Sequence, residues 1–187
     1  MRVNTSLEGF LTSVASDTPT PGGGSVAALV GAQGAALVAM VCRIVMRKKG
    51  ADPGKVGNIL ARSEKLMESL LKLMEEDAQA FDMVIRAFKM PKNTEDERKA
   101  RTVALQAARR RAAEVPLETG EACLEVLKLA RITINLVGRN MISDVMVAAF
   151  CAYSGVMGAS YNVRINLHTL KDATHREKME KRVEALV

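Results

Sequence analysis

Asp77 stands where an amphipathic helix should be apolar. Leu66, Leu70, Leu73, Phe81, Val84 and Phe88 recur at spacings of three and four, the period of one helix face, and Asp77 fills the gap between Leu73 and Phe81. An ionised carboxylate on such a stripe is costly unless it is paired or hydrogen-bonded. Three readings follow: an ion-pair partner, a carboxyl kept protonated, or an acid/base group with a tuned pKa. Upstream, Pro21-Gly22-Gly23-Gly24-Ser25 places free backbone N–H groups at a helix start, a seat for an anion or for the polar edge of a ring. A tight turn with Ser25 near the cap is the plain alternative. No Lys-Ser or Lys-Thr follows at P-loop spacing. Gly22-x-Gly24-x-x-Ala27 lacks the preceding strand and the later acidic residue of a dinucleotide fold.

Two amide and carboxylate pairs are spaced to share a helix face. Asn140 and Asp144 stand at i, i+4 where a strongly apolar segment begins; capping explains one of them, and the helix dipole attracts Asp144. Asn162 and Asn166 share a face if YNVRINLH, Tyr161 to His168, is helical. Its strict alternation equally suits a half-buried strand. These amides serve either as core hydrogen bonders or as a polar wall for a heterocycle such as a pterin. Lys92, at a helix junction, is either an exposed lysine or a contact for an anionic ligand.

Other chemistry is poorly supported. Cys42, Cys123 and Cys151 are far apart with no C-x-x-C pair, and His168 and His175 have no partner at metal spacing, so neither a disulfide framework nor a metal site is expected. Both histidines read as surface residues. The formal charge of +6 and pI near 9.4 would suit nucleic acid, an anionic surface or an acidic ligand. Arg47-Lys48-Lys49 and Arg109-Arg110-Arg111 lack the interleaved aromatics of a strand binder and read as solvated helix faces. The expectation is no nucleic acid. A basic helical binding protein without catalysis remains the competing class, betrayed by steep salt dependence.

Helices must position these groups. With 3% aromatic residues, no Trp, and abundant Ala, Leu, Met, Lys and Glu, the composition favours helix over sheet. Thr5-x-x-Glu8 is a capping box for a short helix ending near Ser16. A small-residue helix is expected from about Gly23 to Lys49, closed by Gly50, Pro53 and Gly54. Its stretch Val26–Cys42 is charge-free and reads as a buried core helix, short for a membrane span. A long amphipathic helix covers Lys55 to Lys89. Another opens at the capping box Thr94-Glu95-Asp96-Glu97 and is broken or kinked at Pro116. Met141–Met157 is apolar on nearly every side, as in a helix surrounded by protein, and Asp172–Val187 reads as charged and frayed. MRVNTSLEGF has no apolar core of signal-peptide length, so the expected location is cytoplasmic and not a membrane. Residues 1–187 are thus read as one all-α domain of five to six long helices in an up-and-down bundle, with a homodimer sharing its core.

In order along the chain, PTPGGGSVAALVGAQGAALVAMV, DAQAF, MPKNTEDER, AAEVPLE, N-x-x-SD and GASYNVRINL resemble the formiminotetrahydrofolate cyclodeaminase family, which includes methenyltetrahydrofolate cyclohydrolases. The resemblance implies an intertwined all-helical homodimer that binds a tetrahydrofolate derivative as substrate near the subunit interface, with no metal and no tightly bound cofactor. It makes Asp77 the catalytic residue. Pro21, Gly22, Gly23, Gly24, Ser25, Asn140, Asp144, Asn162 and Asn166 would line the folate pocket, and Lys92 or Arg47–Lys49 would meet a polyglutamate tail. The implied activity is conversion of 5-formiminotetrahydrofolate to 5,10-methenyltetrahydrofolate and ammonia, in one-carbon and histidine metabolism. The alternative is a cyclohydrolase giving 10-formyltetrahydrofolate. Family cyclodeaminases are often fused to a formiminotransferase, which these residues do not contain, so a separate transferase is an implied partner.

Overall fold

In a computed structural model, residues 6–48 and 50–187 are described. Among them are six α-helices and no strand: α1 (Leu7–Val14), α2 (Gly23–Met46), α3 (Pro53–Phe88), α4 (Glu95–Thr133), α5 (Ile142–Leu167) and α6 (Ala173–Glu184). Two 3₁₀ turns, Ile134–Leu136 and Arg139–Met141, join α4 to α5. The all-α expectation holds. Thr5 and Lys49, on which a predicted cap and one basic cluster partly rest, lie outside the described residues. The observed cap of α1 is Ser6, whose Oγ accepts from the Gly9 N–H at 3.1 Å.

Helices α2 to α5 form a four-helix bundle in which α2 packs on α3 and α5, and α4 packs on the same two. Small residues let α2 also reach α4 across the diagonal. Cys123 of α4 fits a notch between Gly31 of α2 and Gly155 of α5; a Cβ at Gly155 would stand 2.6 Å from its Sγ, and one at Gly31 would collide with it. That notch and the burial of Ala28, Ala35, Val38 and Leu70 explain why so plain a sequence builds α2: it is the central helix, and bulk would push its neighbours away.

Helix boundaries follow local chemistry. Asp52 accepts from the N–H groups of Gly54 and Lys55 at 3.0 and 3.1 Å, with Pro53 at the first helical position, where a missing N–H does no harm. Pro53 and Gly54, expected to close α2, therefore open α3. At Thr94 the predicted capping box forms in full: Thr94 Oγ1 accepts from Glu97 N–H at 3.2 Å, and Glu97 Oε2 accepts from Thr94 N–H at 3.0 Å.

Three expectations are corrected, and a fourth, that α5 is surrounded by protein, is met by this chain on one side only. Pro116 does not interrupt the chain's longest helix, 39 residues long with the proline inside it; the carbonyl left without its helical donor finds another, described below. The end of α3 projects beyond the main core. Phe88 is 61% exposed, flanked by Arg101, whose guanidinium sits 5.0 Å from the ring centroid and donates to the Phe88 carbonyl. Helix α5 is not surrounded by its own chain: Phe150 and Tyr153 are 62% and 54% exposed, because α2 and α4 cover only one side of it. The C-terminal segment is docked, with Met179, Val183 and Leu186 buried.

Candidate active site

Asp77, from the middle of α3, reaches the N-terminus of α2. The Ser25 hydroxyl donates to Asp77 Oδ2 at 2.8 Å, and Ser25 itself is fully buried. Helix α2 begins after Gly22, which has no side chain to cap it. A carboxyl from another helix thus stands where a local cap would. Gly24 makes this approach possible: a Cβ there would fall 2.6 Å from Asp77 Cγ and closer still to Oδ1. The glycine run therefore makes room for the carboxyl as well as exposing backbone N–H groups.

No salt bridge reaches Asp77 among the described residues, which removes the ion-pair reading. Burial raises its pKa above the ordinary carboxylate value, and hydrogen bonds from the Ser25 side chain and backbone counteract part of that rise. A rise in that direction makes the carboxyl a better proton acceptor and suits it to take and return a proton.

The carboxyl opens into a cleft of about 230 Å³ lined by Pro19, Thr20, Gly22, Gly23, Gly24, Asp77, Phe81, Ala112, Asn162, Ile165 and Asn166. YNVRINLH is helical, as the i, i+4 reading required, and both of its asparagines face this cleft. Asn162 Nδ2 donates to the Gly158 carbonyl at 2.8 Å and Asn166 Nδ2 to the Ala112 carbonyl at 2.7 Å. Pockets holding a whole drug-sized ligand run to roughly 300–1,000 Å³, so this one suits a bicyclic ring whose substituents lead outward.

Other predicted groups lie elsewhere. Pro21 is buried and borders a neighbouring depression with Thr18, Thr20 and Ala78. Lys92 is exposed at the α3–α4 junction and does not line the cleft. Asn140 is exposed in the 3₁₀ turn before α5, and Asp144 is in that helix's first turn. Asp144 precedes Asn162 by eighteen residues of the helix, about 27 Å at ~1.5 Å per residue. Asn140 and Asp144 therefore do not belong to the cleft of the same chain. Pro19, Thr20, Phe81, Ala112 and Ile165 were missed as lining residues. Phe81 carried a usable signal, one helical turn from Asp77; the others are brought there only by packing.

Of the surface expectations, one holds and one changes. Arg109, Arg110 and Arg111 lie at the surface and are paired within the chain: Arg109 with the Thr169 carbonyl, Arg110 with Asp172 at 2.9 Å, and Arg111 with Glu76 and Glu118. They form no open phosphate track. His175 is half-buried, with Nε2 3.7 Å from Glu114 Oε1. Cys42 and Cys123 are buried thiols and Cys151 is partly buried, all free; burial pushes Cys123 up to about 12. No cluster of His, Cys, Asp or Glu suited to a metal occurs among the described residues.

A family model described as "Formiminotransferase-cyclodeaminase" matches residues 6–185. Methenyltetrahydrofolate cyclohydrolase of Methylorubrum extorquens is 40% identical over 189 residues, covering all of this chain and 91% of that protein. Formimidoyltransferase-cyclodeaminase of Mus musculus is 35% identical over 187 residues, covering 99% of this chain but 35% of that longer protein. The crystal structure of formiminotetrahydrofolate cyclodeaminase from Thermotoga maritima superposes with a TM-score of 0.86 at 30% identity, over 98% of this chain and 88% of that one.

Proposed function

The chain belongs to the formiminotransferase-cyclodeaminase family, and on that premise we propose that it is a cyclodeaminase acting on 5-formiminotetrahydrofolate, with Asp77 as its proton-transfer group. The observation that carries this reading is the half-buried Asp77 carboxyl, without a cationic partner and held by Ser25 at the mouth of a ring-sized cleft.

The reaction joins N10 of the folate to the formimino carbon on N5. Starting from the protonated formimino group, N10 attacks that carbon to give a cyclic tetrahedral intermediate bearing an amino group and a proton on N10. Asp77 takes the N10 proton and delivers it to the amino nitrogen. Ammonia leaves, and the methenyl cation remains, with charge and atoms balanced. Holding N10 against the carbon supplies much of the acceleration, and the proton shuttle a further ~10²- to 10⁴-fold. Asn162, Asn166 and the N–H groups at the start of α2 supply polar contacts to the ring.

A second reading is favoured by the cyclohydrolase relative, which matches this chain over nearly its whole length. There, water adds to the methenyl carbon, Asp77 takes a proton from it, and the bond from that carbon to N5 breaks as N5 is protonated, giving 10-formyltetrahydrofolate with one proton released to solvent. The two reactions share a tetrahedral carbon between N5 and N10. The enzyme is further proposed to work in the cytoplasm, with a separate formiminotransferase as supplier and a polyglutamate tail leading out of the cleft. We also propose a homodimer, supported by the uncovered face of α5 around Phe150 and Tyr153. Purified protein given 5-formiminotetrahydrofolate should release methenyltetrahydrofolate and ammonia in equal amounts, and Asp77→Asn should slow the release of both together by about 10²- to 10⁴-fold. Turnover of methenyltetrahydrofolate alone would establish the cyclohydrolase instead; loss of all folate binding at modest salt would leave a basic binding protein.

A further inference from the structure

Pro116 lies inside α4, and a proline has no N–H to give the carbonyl four residues earlier. That carbonyl belongs to Ala112. It does not go unsatisfied: Asn166 Nδ2 of α5 donates to it at 2.7 Å, and α4 continues through the proline to Thr133. Both Ala112 and Asn166 line the Asp77 cleft. A carbonyl can only accept, so it fixes which end of the Asn166 amide faces α4. Nδ2 must point to Ala112, and Oδ1, which makes no hydrogen bond among the described residues, is left as an acceptor. Asn162 is held in the same sense by the Gly158 carbonyl.

We propose that Pro116 is a positioning residue: by orphaning the Ala112 carbonyl it locks the Asn166 amide with Oδ1 free for the ligand, so that Asn162 and Asn166 present two acceptors one helical turn apart. The ligand edge that matches them carries N–H donors, as the amino-substituted ring of a reduced pterin does. The recognition half of this inference rests on the folate reading above; the orientation half does not.

Three variants separate them. Pro116→Ala restores an N–H for Ala112 and favours the helix, so it should keep or raise Tm while freeing the Asn166 amide to turn. Its folate KM should rise roughly 5- to 10-fold, the scale of one hydrogen bond, with kcat little changed. Asn166→Ala should raise KM similarly and lower Tm, because the Ala112 carbonyl is then unpaired. In the double variant the new N–H should rescue Tm, while KM stays as high as in Asn166→Ala alone. Equal rescue of KM would make Asn166 merely structural, and an unchanged KM in Pro116→Ala, or additive losses in the double variant, would overturn the positioning role. Hydrogen exchange of the Asn166 side-chain amide, read by NMR without ligand, should be protected in the wild type and lose protection in Pro116→Ala. Unaltered exchange would refute the lock even if the protein proved to bind no folate, and protection lost with no folate bound would sink the functional reading alone.

Discussion

The two ends of α5 carry the same kind of mark and meet different fates. At its start, Asn140 and Asp144 stand four residues apart; near its end, Asn162 and Asn166 do the same. Only the second pair faces Asp77. Spacing by four places two side chains on one helix face but does not say what that face meets. The first pair lies at the opposite end of α5, in and just after the 3₁₀ turn that precedes it, whereas the second lies where α2 begins and where α4 presents a carbonyl stripped of its donor by Pro116.

The difference is sharpened most by removing the carboxyl itself. Asp77→Asn should lower kcat about 10²- to 10⁴-fold while keeping the fold. The sign follows from linkage. Burial makes the folded pKa of Asp77 higher than the unfolded one, so stability is lost as pH rises from the ordinary carboxylate value through the folded value. At neutral pH an amide there relieves that loss, and thermal unfolding at pH 7 should show Tm unchanged or raised. A lowered Tm would mean that the carboxylate is a structural cap first. Gly24→Ala should come next: its Cβ displaces Asp77 from Ser25, with overpacking of about 1–3 kcal/mol, seen as a drop in urea midpoint together with most of the activity loss of Asp77→Asn.

Ser25→Ala acts more gently. It removes the hydroxyl that counteracts the rise in the Asp77 pKa, so the acidic limb of the kcat profile should move to higher pH, leaving the plateau within about tenfold. A limb displaced downward would show that another group is the base. Smallest of all, Asn140→Ala and Asp144→Ala should alter kcat/KM less than about twofold, as surface substitutions do. A larger effect would break the contrast between the two ends and assign that pair to the cleft of a second subunit.

Much was legible locally. Thr94 and Glu97 named the start of α4 because a capping box is closed by residues three apart. Asp77 declared itself by interrupting an apolar period. What could not be read depends on contacts between distant segments. Pro116 signals a break when α4 is considered by itself, and the break is averted by an amide 50 residues later. The apolarity of α2 and of α5 looks alike in the sequence, yet α2 exposes large apolar side chains only toward its C-terminal end, at Met40, Ile44 and Met46, whereas α5 leaves Phe150 and Tyr153 open along its middle. Phe88 extends the stripe of α3 correctly in period and still lies exposed, because period fixes a direction around the axis but not how far the neighbouring helices extend.

The sequence by itself determined the helices, most of their ends and the one carboxyl out of place, because capping, proline chemistry and amphipathic period act within a few residues. Tertiary structure alone decided that Asp77 binds Ser25 at a glycine start, that Asn162 and Asn166 share its cleft while Asn140 and Asp144 do not, and that Pro116 is tolerated. Each of these depends on a donor, an acceptor or a free volume supplied by another helix, and no periodicity within one segment encodes its partner.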